Sequence, residues 1–239
     1  MILDNAEVFK RTESGRMVVV GNSFSLDEVD LSLITCPTVS CNRILRHPTF
    51  VPKYLLMSDR EAYIQERDAG RLLLYASEGG HLFLSKTIFD PKVIGRRADK
   101  NKSREHPFQP EPDFDWYGFR VGAWHTKPNF ETFADLLCSC ANIFGPMLQA
   151  AVILGAREVG VAGVDMVWPK GQKSHFFGYG KEVGAFPFVS LDTILRLFRK
   201  MKDELETMGI KVWNLSPREN TPFGRVFASK SFETFAAGQ

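Results

Sequence analysis

No stretch of this chain approaches the roughly 20 consecutive apolar residues that a membrane-spanning helix needs. Its opening residues mix charges with apolar side chains and lack the apolar core of a secretory signal, so the expectation is a cytoplasmic protein with no transmembrane segment. Cysteine is scarce. The four, Cys36, Cys41, Cys138 and Cys140, match no zinc-ligand spacing, and reduced, buried thiols are expected. The Cys138-Ser-Cys140 pair falls in a helical pattern, where residues two apart do not share a face. Charge of one sign is also missing: 30 Lys and Arg against 28 Asp and Glu leave +2, which argues against nucleic acid as a partner. There is no internal repeat or low-complexity tract. The Gly-x-Gly-x-x-Gly signature is absent as well, which excludes the usual dinucleotide fingerprint.

What is present reads as an ordinary globular chain. With 44% hydrophobic and 24% charged residues over 239 positions, the sequence can bury a core of its own, and one domain over 1–239 is expected. Short apolar runs predict strands at 16–21, 38–41, 53–57, 71–75 and 81–84, with a helix starting near Asp59. Residues 90–128 turn to Lys, Arg, Pro and Asp and read as a long excursion. From 129 to 151, apolar residues from Phe133 to Ala151 recur at near-helical spacing, closed by Gly155. A strand is expected to Gly163, then a glycine- and aromatic-rich loop at 166–189 that reads as a candidate lid. Ser190 is placed to cap an amphipathic helix ended by Gly209, followed by a strand at 210–215. Helix, glycine, strand occurs twice. The fold class this order implies is α/β, Rossmann-like, with a mostly parallel sheet flanked by helices.

In such a sheet, ligands sit beyond the carboxyl ends of the strands, and several of these ends carry small polar groups. Gly21-Asn22-Ser23-Phe24-Ser25 follows the first predicted strand. Its glycine allows close approach, and Asn22, Ser23 and Ser25 can bond phosphate or ribose oxygens. The plain alternative is a turn with Ser25 as helix cap. Asn42 ends the second strand; Ser58 and Asp59 end the third and are equally good cap residues. Asp165 ends a fourth, where it can hold a ribose hydroxyl, act as a base or cap a helix. Asn214 and Ser216 end a fifth, in a turn closed by Pro217. His175, in the lid-like loop, has the chemistry of a general base, set against a loop histidine with no role. Asp113-Phe-Asp115 formally matches a metal-binding Asp-x-Asp but lies away from any strand end. Arg96, Arg97, Lys100, Lys102 and Arg104 can clamp an anion or form a solvated loop.

Val18-Val-Val-Gly-Asn-Ser-Phe-Ser-Leu26 and Cys41-Asn-Arg43 resemble the opening of the bacterial lipooligosaccharide sialyltransferases of glycosyltransferase family 42. The likeness returns at 154–165, at 174–178, in the helix of the 190s and at Leu215-Ser-Pro217. The resemblance implies a transferase in which Gly21, Asn22 and Ser25 meet a cytidine nucleotide. It also implies that Asn42 touches the donor, that 166–189 closes over it, and that no metal cofactor is needed. The acceptor it implies is a glycan of unknown identity. This chain departs from the pattern in four places: Ser23 stands for a smaller residue, Phe24 for a proline, and Met166, Val167 and Trp168 where two lid tyrosines are expected. The family's catalytic histidine falls on Tyr179, while His175 matches an earlier histidine. The same opening, with Met57-Ser-Asp59, is similar to the 6-hydroxymethylpterin diphosphokinases, which implies Mg²⁺-ATP held by Asp59 and Asp165. Three readings stay open: a nucleotide-sugar transferase, a diphosphokinase, and a non-catalytic nucleotide- or glycan-binding protein.

Overall fold

A computed structural model describes residues 2–3, 6–89, 110–123, 125–167, 175–178 and 189–238. Among the described residues, nine strands form the sheet: β1 (Ile2–Leu3), β2 (Gly15–Val20), β3 (Thr38–Cys41), β4 (Tyr54–Met57), β5 (His81–Ser85), β6 (Trp116–Gly122), β7 (Leu136–Cys138), β8 (Ala156–Ala162) and β9 (Lys211–Asn214). Eight lie in the order β1-β6-β5-β4-β3-β2-β8-β9, and β7 pairs with the far half of β6. Every pairing between these nine strands is parallel. The fold is a Rossmann-like α/β sheet with helices on both faces.

The central strands are almost wholly buried and mostly apolar because both their faces are covered. Side chains alternate along a strand. Met17, Val19, Val39, Leu56 and Phe83 therefore join one core with α3 (Phe144–Leu154) and α4 (Leu191–Thr207). Val18, Val20, Leu55, Leu82 and Leu84 join the other, with α1 (Arg60–Asp68), α2 (Arg71–Ser77) and α5 (Phe232–Ala236). Helix α4 forms as its sequence predicts. The Ser190 side chain accepts from the Thr193 amide, and Ile194, Leu195, Phe198, Met201 and Leu205 make the buried stripe. Gly209 ends the turn at φ +71°. Gly155 closes α3 in the same way, at φ +122°.

Three expectations fail. Residues 71–75 are the start of helix α2, not a strand. Gly70, at φ +71°, redirects the chain, and only Leu72 and Tyr75 of the run turn inward while Leu73 and Leu74 stay more than half exposed. The long helix expected over 129–151 exists only from Phe144. Before it, the Asn129 and Asn142 side chains bond nearby backbone, and β7 joins the sheet. Third, the region 90–128 is not all excursion. Trp116–Gly122 is β6, a strand paired with β1, β5 and β7, whose two glycines hide its apolar pattern. Residues 90–109, including the basic run, lie outside the described residues. Among the described residues, no helix is long and apolar enough to cross a membrane.

Candidate functional site

From β2 the chain steps outward through β3, β4 and β5 to β6, then returns to place β8 on the other side of β2. The order reverses between β2 and β8, and at such a reversal the carboxyl ends of the strands are where a ligand crevice is expected. The first turn lies at this reversal. Gly21 donates to the Ala162 carbonyl at 2.8 Å. A Cβ on Gly21 would meet the Gly163 carbonyl oxygen at 2.2 Å, so the two chains touch backbone to backbone and only glycine fits. Gly163 itself sits at φ +67°, with Leu26 packed where its side chain would go.

Asn22 is held by the last residue of β3. Its amide nitrogen donates to the Cys41 carbonyl at 3.2 Å and to the Cys41 sulfur at 3.3 Å. A carbonyl can only accept, so the bond fixes which end of the amide faces Cys41. Burial pushes the Cys41 thiol up to about 12, and it stays a neutral neighbour at physiological pH. Ser23 ties the crevice together: its amide donates to the Gly163 carbonyl at 2.9 Å, and its hydroxyl accepts from the Asp165 amide at 3.2 Å. Asp165 is wholly buried, with Oδ1 accepting from the Ser216 hydroxyl at 2.8 Å. Asn214 in turn accepts from the Ser216 amide at 3.1 Å, so it positions Ser216 behind Asp165.

Four buried side-chain atoms at these strand ends have no hydrogen-bond partner among the described residues. They are Asn22 Oδ1, Ser25 Oγ, Asn42 Oδ1 and Asp165 Oδ2. Three of the four can only accept. A buried acceptor left unbonded costs about 1–3 kcal/mol, so three of them around one crevice mark a place where a molecule rich in O–H or N–H donors would be held. Asn42 adds backbone strain, at φ +48°.

The other expected residues divide. Ser25 is not a cap: it is buried inside the short 3₁₀ turn Phe24–Glu28, which Ser23 precedes. Asp59 caps α1, accepting from the Glu61 and Ala62 amides at 2.9 and 3.2 Å, and its second oxygen lies 4.0 Å from Arg43. Ser58 is half-buried beside it. Asp113 and Asp115 lie ahead of β6, outside the crevice; Asp113 is exposed. Among the described residues, no group of three His, Cys, Asp or Glu side chains could hold a metal ion. Of the lid-like loop, residues 166–167, 175–178 and 189 are described; Tyr179 lies outside them.

His175 meets the site directly. It bridges to Ser23 in antiparallel fashion, and the next amide, of Phe176, donates to the Asn22 carbonyl at 3.2 Å. The rings that anchor this segment could not be paired from sequence. Phe176 meets His47 edge-on at 5.4 Å, Arg46 lies 5.5 Å from the Phe177 ring centre, and His175 stacks on Phe177. Burial holds His47 below the ordinary histidine range, with Asp27 opposing. Two more participants have contacts that the sequence did not reveal. The Cys41 thiol pins Asn22, and Arg218 pairs with Glu28 while lying 4.1 Å over the Phe24 ring.

No family model and no curated protein matches the sequence. Solved structures do match the fold. One is the sialyltransferase CST-II in complex with a trisaccharide acceptor and CMP, with a TM-score of 0.51 and 14% identity over 91% of this chain and 87% of that one. The fold is sialyltransferase-like. Another is CstII from Campylobacter jejuni in complex with the substrate analogue CMP-3FNeuAc, at a TM-score of 0.48 and 13% identity over 92% of this chain and 87% of that one.

Proposed function

We propose that this sialyltransferase-like chain is a glycosyltransferase that binds a cytidine-type nucleotide sugar across the β2–β8 crevice and passes the sugar to an acceptor hydroxyl, a glycan being the acceptor class the fold relationship favours. The observation that carries the reading is the set of unpartnered acceptors, Asn22 Oδ1, Asn42 Oδ1 and Asp165 Oδ2. A ribose diol and the exocyclic amine of cytosine offer the donors these atoms lack. Bare phosphate has none, so in this reading the phosphate lies toward the backbone amides and hydroxyls of the Gly21–Ser25 turn. Ser58, Asp59, Asn214 and Ser216 complete the polar edge.

Transfer needs a base at the acceptor hydroxyl and donors for the leaving phosphate. His175, bridged to the Ser23 backbone, is the first candidate base and Asp165 the second. Tyr179 is assigned to the leaving phosphate. No metal enters the reading. Four cysteines, none in a disulfide, suit a reducing compartment, and the cytoplasm is the proposed location.

The test is a thermal-shift panel of CMP, CDP, UDP, GDP and ATP, each with and without Mg²⁺. A ligand at a hundredfold excess over its dissociation constant adds about 2.7 kcal/mol, a visible shift. A metal-independent response to CMP, weakened for the 2′,3′-dideoxy nucleotide, is expected, with donor hydrolysis lost in His175→Ala. A response to ATP that requires Mg²⁺ would replace this reading with diphosphate transfer. CMP binding without turnover in the parent chain would leave a nucleotide-binding protein.

A further inference from the structure

Away from the crevice, three sulfur atoms meet under the turn that joins β7 to α3. Cys138 Sγ lies 3.4 Å from Cys140 Sγ, and the Cys140 thiol points at Met201 Sδ, 3.0 Å away on α4. A helix would keep residues two apart on different faces, but Cys140 and Ala141 sit at φ +43° and +63°, and this left-handed bend swings the second thiol back over the first. The first thiol is fixed in place. The Gln149 side chain accepts from the Cys138 amide at 2.9 Å and donates to the Cys138 carbonyl at 2.8 Å. The neighbouring helix start is close-packed: a Cβ on Gly145 would meet the Cys138 carbonyl at 2.7 Å. Both thiols are buried, and the turn residues around them, Ser139, Ala141 and Asn142, are half-buried. The Cys140 S–H beside it holds the Cys138 thiol below the ordinary thiol range, and Cys140 is pushed up in turn.

We propose that Cys138 and Cys140 are a redox modification site that a peroxide converts into a reversible disulfide, with Cys138 as the attacking sulfur. In the first step the Cys138 thiolate attacks one peroxide oxygen. An S–O bond forms and the O–O bond breaks. The peroxide is reduced, leaving as hydroxide that takes up a proton to become water, and Cys138 becomes a sulfenic acid. In the second step Cys140 loses its proton and attacks the Cys138 sulfur. The S–S bond forms, the S–O bond breaks, and the departing hydroxide takes the Cys140 proton as a second water. The sum is two thiols and one hydrogen peroxide giving one disulfide and two waters. The sulfurs must close from 3.4 Å to about 2.05 Å. Gln149 anchors Cys138, so Cys140 makes the movement and withdraws from Met201. A third cysteine is not needed: Cys41 is engaged with Asn22, and Cys36 lies at the opposite end of the sheet, just before β3.

The experiment treats the native full chain with graded hydrogen peroxide, quenches in acid, unfolds it with N-ethylmaleimide present, and weighs the peptide spanning 138–140. The expected result is loss of two hydrogens with no maleimide on that peptide, reversed by dithiothreitol, at doses that leave Cys36 and Cys41 fully alkylated. In Cys140→Ser, Cys138 is expected to be trapped as a sulfenic acid by dimedone; in Cys138→Ser, Cys140 is expected to stay free. The proposal is overturned if the parent peptide remains doubly alkylated once half of Cys36 has reacted, or if either sulfur pairs with Cys36 or Cys41. It is equally overturned if the disulfide forms only after urea. These readouts are chemical and stand or fall independently of nucleotide binding.

Discussion

Two buried polar clusters, one at α1 and one at the carboxyl ends of β2 and β8, differ in one respect. Around α1, the wholly buried Glu66 accepts from Arg46 at 2.7 Å and from Arg71 at 2.5 Å, while Gln65 accepts from Arg43 and Arg46. Every carboxylate oxygen of Glu66 is taken. At the β2–β8 crevice, Asp165 is as deeply buried, yet only one of its oxygens is taken. Burial alone therefore does not separate architecture from site. The closed cluster ties α1 and α2 to the turn after β3, and the open one keeps acceptors in reserve.

The comparison breaks most sharply at Glu66. Glu66→Ala removes the buried carboxylate that two guanidinium groups share and is expected to destabilise the fold by about 3 kcal/mol in urea unfolding. Nucleotide affinity, measured well below the transition, is expected to stay within a factor of two or so. A stable variant with lost affinity would make the α1 cluster part of the site. Gly21→Ala comes next. Its Cβ has no room against the Gly163 carbonyl, and about 2 kcal/mol of stability should go together with nucleotide binding, both read in one thermal-shift titration. Unchanged binding would move the ligand away from the crevice. Asp165→Asn is expected to separate the two quantities in the opposite sense from Glu66→Ala. Stability should move by no more than about 0.5 kcal/mol while affinity falls about tenfold in calorimetry. Large destabilisation with affinity intact would class Asp165 with Glu66.

The smallest effect is on pH. Burial lowers His47 and His81, with Lys53 also lowering His81 and Glu13 opposing. A histidine lowered in the fold binds its proton more weakly there than in the unfolded chain. Its contribution is intact above the ordinary histidine value, near 6.5, and is lost as pH falls below it. The melting temperature is expected to drop more steeply from pH 7 to 5 in the parent than in the His47→Gln, His81→Gln double variant. Parallel curves would mean that these rings titrate alike in both states.

The strands near the crevice were legible in the sequence because each carries a short apolar run, buried on both faces in β2, β3 and β4. Parallelism then sends all their polar ends to one edge, which is why Gly21, Asn22, Asn42, Asp165 and Ser216 could be named before any contact was known. What could not be read depends on side chains bonding backbone at a distance. Nothing in a period tells that Gln149 would clamp Cys138 and end a helix pattern that runs on in the letters. Leu72, Leu73 and Leu74 carry no period at all, and a bend at Gly70 decided the outcome. The cap role of Asp59 and the reserve oxygen of Asp165 look alike as sequence. Only their partners distinguish them.

The contact of Gly21 with Gly163 has a consequence for redesign. The floor of the crevice is made by two main chains, so its shape does not depend on which side chains surround it. That floor is a socket, and Asn22, Asn42, Asp165 and Ser216 follow the ends of the strands that form and flank it. Libraries that vary these four while keeping both glycines should change which nucleotide is accepted and leave the socket standing.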